Sequence, residues 1–160
     1  MKNLKTIICL LVVVNVFALG CKKDSEKDPD GNSNNKYSYQ GKVTKISEGK
    51  YSVIDVIGTN NVSLTLIGNE TSQWVQLFFY KSGNAIPEGT FIYKNNSQAS
   101  YNPLTNFAGG NVNLGIADAH EITGGSVSVK KEGSDYSVTV DATTSRGPLK
   151  GSYTGSITKE

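Results

Sequence analysis

The chain has 160 residues, 37% of them hydrophobic and 19% charged, with two cysteines and a formal net charge of +2. That balance excludes a disordered polyelectrolyte, and so few cysteines exclude a disulfide scaffold. Gly, Ser, Thr and Asn make up 62 residues, which favours turns and strands over helices.

Residues 1–20 read as a secretory signal peptide that is removed. Lys2 and Lys5 form a basic start, Ile7–Leu19 is apolar apart from Asn15, and Ala18-Leu19-Gly20 leads into Cys21. The apolar run is too short for a bilayer core, which takes about 20 residues. Phe17-Ala18-Leu19-Gly20-Cys21 resembles a bacterial lipobox, with Gly20 and Cys21 on the pattern and Ala18 and Leu19 in reversed order. The resemblance implies cleavage before Cys21 and lipid on that cysteine. Lys22-Lys23-Asp24-Ser25-Glu26-Lys27-Asp28 is similar to the charged segment that follows the cysteine in Bacteroidetes-type outer-membrane lipoproteins. It implies a lipid-anchored protein of the cell outer membrane, exposed at the surface.

With Cys9 lost in the signal and Cys21 acylated, no thiol is left for a nucleophile, a cluster or a thiolate zinc site. Loss of Lys2 and Lys5 leaves 14 basic and 14 acidic residues, a balance with no electrostatic footprint for nucleic acid. Residues 21–36 form a flexible, polar tether. Asp28-Pro29-Asp30-Gly31-Asn32 resembles the opening of a calcium loop, but Tyr39 stands where the twelfth-position carboxylate belongs, so no metal is expected.

From residue 37 to 160, short β-prone runs alternate with turn residues. The predicted strands are Tyr37–Ile46, Tyr51–Ile57, Val62–Ile67, Trp74–Tyr80, Thr90–Tyr93, Val112–Ile116, His120–Thr123, Ser126–Lys130, Tyr136–Asp141 and Leu149–Ile157. The expectation is a single all-β domain, an antiparallel sandwich or barrel of about 8–10 strands. Its last part is the clearest. Val127 and Val129, then Tyr136, Val138 and Val140, then Leu149, Gly151, Tyr153, Gly155 and Ile157 alternate with polar residues, as a C-terminal meander with one wet face requires. This hairpin pattern resembles the end modules of uncharacterised secreted Bacteroidetes proteins, which implies a β-sheet and no more.

In Trp74–Tyr80 both faces are apolar: Val75, Leu77 and Phe79 on one, Trp74, Phe78 and Tyr80 on the other. Such a strand is either covered twice or offers one face to a ligand or partner. Residues 95–111 form a long aperiodic loop carrying Tyr101, Leu104 and Phe107 among Asn102, Pro103, Thr105 and Asn106. Either the loop is pegged onto the sheet by its apolar side chains, or it joins the strand in a binding surface. The second reading makes Trp74, Phe78, Tyr80, Tyr101, Asn102, Asn106 and Phe107 the candidate ligand-binding residues, aromatics for stacking and asparagines for hydrogen bonds.

Catalysis finds little support. His120 is the only histidine, on one strand face with Asp118, and no Gly-x-Ser-x-Gly elbow accompanies it. A carboxylate pair drawn from Asp55, Glu70, Glu88, Asp118, Glu121 and Asp141 leaves a hydrolase as a distant alternative. No catalytic residue and no cofactor are therefore assigned. The chain reads as a non-enzymatic, surface-anchored binding module for a glycan or small apolar ligand. The alternative is a structural subunit docking onto another protein of a cell-envelope assembly.

Overall fold

A computed structural model describes residues 34–160. The expected signal segment 1–20, the expected lipid attachment at Cys21 and most of the expected tether lie outside the described residues. Eleven strands follow one another: β1 (Lys36–Tyr39), β2 (Lys42–Val56), β3 (Thr59–Gly68), β4 (Gln73–Phe79), β5 (Gly89–Tyr93), β6 (Asn106–Phe107), β7 (Gly109–Leu114), β8 (Ala119–Glu132), β9 (Asp135–Thr144), β10 (Gly147–Gly155) and β11 (Ile157–Lys159). Eight of them close an antiparallel ring in the order β1–β2–β3–β4–β7–β8–β9–β10, with β10 returning to β1. The fold is an all-β barrel rather than a sandwich.

Three strands lie outside the ring. β7 pairs with β8 at residues 119–122, and β5 takes over the same edge at residues 126–129, carrying the short parallel β6 on its outer side. β11 lies parallel to residues 49–51 of β2, where β1 no longer reaches.

Strand alternation explains the filling. Tyr37 and Tyr39 of β1, Leu64 and Leu66 of β3, Leu77 of β4, Ile122 of β8 and Leu149 of β10 are each at most 1% exposed. An eight-stranded barrel is just wide enough for such side chains to fill it. Beside β5 the core continues as an aromatic cluster. Phe79 meets Phe91 edge-on at 5.1 Å, and Phe107 lies between Phe79 and Tyr93 at 6.5 and 5.9 Å.

Several boundaries differ from the sequence reading. Tyr37–Ile46 is not one strand but a hairpin, because Gln40 (φ 51°) and Gly41 (φ 74°) turn the chain back in the left-handed region. His120–Thr123 and Ser126–Lys130 are one strand, β8, with a bulge between Ile122 and Gly124. The folded domain starts before residue 37, since Asn35 bonds both ways to the main chain of Thr154 and Lys36 already belongs to β1. The meander β8–β9–β10 forms as the alternation predicts. Gly151 faces Tyr37, where an added Cβ would come within 2.9 Å of the tyrosine Cβ.

Val138 is fully buried and Thr139 is exposed on β9. Val138→Ala should therefore cost roughly 1–3 kcal/mol in denaturant unfolding through lost burial and a residual cavity. Thr139→Ala should stay within about 0.5 kcal/mol.

Burial pushes the phenols of Tyr37 and Tyr153 above the ordinary tyrosine value, against smaller opposing hydrogen bonds from Thr44 and from the main chain of Gly49. The native state then keeps protons that the unfolded chain releases above about pH 10. Unfolding free energy should hold its tyrosine contribution below that pH and fall as the pH rises further, a trend that alkaline denaturation curves would read.

Candidate functional site

The two faces of β4 have different fates. Val75, Leu77 and Phe79 point into the core at no more than 1% exposure. Trp74, Gln76 and Phe78 point outward and are half-buried, as is Tyr80 just beyond the strand. The outer face is not uniform. Trp74 sits between Ile67 of β3 and Asn113 of β7, while Phe78 sits between Ser63 and Gly109 further along the strand. Gln76 separates them and donates to the Ser63 hydroxyl at 3.0 Å. Trp74 is thus apart from the other candidate aromatics.

Phe78 and Tyr80 line an outer groove of about 260 Å³ with Ile54, Val56, Asn61 and Asn96, completed by Phe79 and Ala108. Ile54 and Val56 come from the far part of β2, whose partners on β3 are Asn61 and Thr59. Both are close to half exposed, at 47% and 45%. These two and Asn96 were not among the sequence candidates. The signal existed, because Tyr51–Ile57 has apolar residues on both faces just as Trp74–Tyr80 does.

The polar groups around the groove are largely committed. Asn61 Oδ1 accepts from the Lys81 main chain at 2.9 Å, and its Nδ2 donates to the carbonyls of Thr59 and Ile54 at 3.2 and 3.3 Å. The Lys81 ammonium lies 5.6 Å from the centre of the Tyr80 ring. What the groove offers is chiefly apolar surface, with exposed Asn96 at its rim.

The long loop is pegged rather than draped over this surface. Tyr101 packs edge-on against Tyr80 at 6.1 Å. Its hydroxyl accepts from the Tyr80 N–H at 3.1 Å and donates to the Asn106 carbonyl at 3.1 Å. Burial raises the affinity of this phenol for its proton, with the Tyr80 main-chain contact acting in the opposite sense. Asn106 is buried. Its Oδ1 accepts from the Asn102 N–H at 2.9 Å and its Nδ2 donates to the Ile92 carbonyl at 3.1 Å. Asn102 is exposed, and its own Oδ1 accepts from the Leu104 N–H. Phe107 has no accessible surface. The contact surface expected of it gives way to a core role, because β6 aims the ring between Phe79 and Tyr93.

The lone histidine lies at the opposite end of the barrel, beside Asp118. His120 is the second residue of β8 and is 8% exposed, against the Tyr39 ring at 5.7 Å. Its Nε2 is 3.0 Å from Asp118 Oδ1, yet the ring N–H is not aligned for a hydrogen bond. Three other candidate carboxylates go to separate partners. Glu70 accepts from the Gln73 side chain, Glu88 from the Lys131 N–H, and Asp141 pairs with Lys150. Among the described residues, no cluster of three or more His, Cys, Asp or Glu side chains could hold a metal ion.

Phe107→Ala should lower the unfolding free energy by about 3–5 kcal/mol, as aromatic truncation in a packed core does. Asn106→Ala should cost about 1–3 kcal/mol by leaving the Asn102 N–H and Ile92 carbonyl without their partner. Denaturant titration of both variants checks this assignment of the loop.

In comparison with known proteins, no family model, no curated protein and no solved structure matches the chain.

Proposed function

We propose that the chain is a lipid-anchored, non-catalytic binding module of the cell outer membrane, exposed at the surface, that takes a small apolar ligand in the groove beside Phe78 and Tyr80. The observation that carries the reading is the combination of a filled barrel with an apolar hollow on its outer wall. A concave surface of aliphatic and aromatic side chains with few polar groups fits an apolar molecule better than a glycan, which needs many uncommitted donors and acceptors. The lipobox-like segment ending at Cys21 supplies the anchor. A single acyl chain holds a protein to a bilayer only marginally, and the multiply acylated cysteine implied by the lipobox resemblance would meet the need for more.

A structural subunit of an envelope assembly is the second reading. It is favoured by β2 beyond Tyr51, where pairing continues with β3 on one side after β11 has ended on the other. A strand edge of that kind is a template for pairing with another chain.

Binding of an apolar fluorescent probe, run beside a glycan array, separates these possibilities. The parent should bind the probe, and Phe78→Ala or Ile54→Ala should weaken it by roughly 5- to 150-fold, equivalent to 1–3 kcal/mol per anchor contact. A parent that binds neither probe nor glycan removes the ligand reading and leaves the assembly reading. For the anchor, acyl labelling in cells should mark the parent and spare Cys21→Ala. Equal incorporation in both would overturn it.

A further inference from the structure

The β2–β3 hairpin ends in a two-residue turn, Ile57-Gly58, with both residues at positive φ, 54° and 71°. Such turns favour Asn or Gly at the first position, because a β-branched side chain in the left-handed region is strained. Here the position holds an isoleucine that is 100% exposed. Val56 and Ile54 stand behind it, exposed on the outer face. A strained and fully exposed isoleucine gives nothing to the core, and strain of this kind persists chiefly where it serves a function.

The hairpin also has a definite position relative to the start of the barrel. β1 runs from Lys36 to Tyr39 while its partner β2 runs the opposite way, with Lys45 opposite Lys36. From Lys45, β2 continues to Val56, so its tip projects from the end of the barrel at which the chain enters through Asn34 and Asn35. Exposed Leu104, against the β4–β5 connection, is at the same end. Ile116, also exposed, is in the β7–β8 connection at the opposite end.

We propose that the Val56-Ile57-Gly58 tip dips into the interfacial layer of the lipid bilayer that carries the anchor. The proposal rests on the lipid-anchor reading. Twelve residues, thirteen Cα–Cα steps, separate Cys21 from Asn34. They reach at most about 45 Å when fully extended, and roughly 20 Å as a flexible coil. An anchor at Cys21 therefore keeps the entering end of the barrel, and the hairpin that projects from it, close to the lipid surface. The two aliphatic side chains of Val56 and Ile57 on a narrow turn are suited to the boundary between headgroups and acyl chains, where apolar area is buried without the main chain having to cross. In this position the groove beside Phe78 opens near the bilayer surface, where an apolar ligand is concentrated.

The test attaches the chain from Cys21 onward, through that thiol, to a maleimide phospholipid in phosphatidylcholine vesicles. The attachment makes the result independent of acylation in cells. Ile57→Trp and Ile116→Trp are compared with the parent, whose Trp74 sets the baseline, using acyl-brominated lipid as quencher. Quenching that exceeds the baseline for Ile57→Trp and matches it for Ile116→Trp is the expected result. Equal quenching of the two variants, or none in either, overturns the proposal while leaving the anchor to the labelling experiment. Concentration-dependent change in the Ile57→Trp emission without vesicles would assign the tip to a second copy and overturn it as well. Ile57→Asn separates folding from contact. It should keep or raise the melting temperature, since Asn suits the turn, while weakening vesicle partition of the unattached chain about three- to tenfold. Unchanged partition counts against the proposal.

Discussion

An eight-stranded ring encloses about as much space as its own inward side chains occupy, and this constraint decides where anything else can bind. Tyr37 and Tyr39 show how fully the space is used. The Tyr37 hydroxyl reaches the Asn113 carbonyl at 3.3 Å, and the Tyr39 hydroxyl shares a 2.9 Å hydrogen bond with Thr144, so the polar tips of these two inward tyrosines are satisfied within the wall. Open apolar space is thereby left to the outer surface. There the apolar residues of β2 and β4 share a groove only because β3 holds both strands in register, with Asn61 between Ile54 and Tyr80.

Close main-chain approach keeps that ring tight. At Gly110 of β7 an added Cβ would lie 1.8 Å from the Gln76 carbonyl oxygen, and at Gly125 of β8 it would lie 2.3 Å from that of Asp141. Glycine is needed at both positions for space as well as for backbone conformation. Gly125 follows the β8 bulge, at the transition from pairing with β7 to pairing with β5. The local break in pairing and the change of neighbour thus fall on one short stretch.

The same stretch shows what could be read in the sequence and what could not. Alternation is a local property, so the meander and the inward set Val127, Val138, Leu149 and Tyr153 were legible residue by residue. Continuity through a bulge is not local. Thr123-Gly124-Gly125 looks like a turn, yet pairing with β9 carries the strand through it. The Gln40-Gly41 turn was hidden for the converse reason, since Gln is an unusual residue for a left-handed position. At the candidate groove, the doubly apolar character of Trp74–Tyr80 identified Phe78 and Tyr80. Only the sheet order could bring Ile54 and Val56 beside them, and only the path of β6 could turn Phe107 inward.

The hydrogen bonds at the root of β1 have a mechanical side. β1 is a ring strand with a four-residue register to β10 on one side and to β2 on the other. Asn35 extends the hold through Thr154 and through its carbonyl, which accepts from Ile46. Tension applied along the strand at Asn34 would load these bonds together in shear, whereas a peeling geometry would open them one by one. The chain therefore enters the barrel through the strand geometry that transmits a pull along its axis with the least local opening.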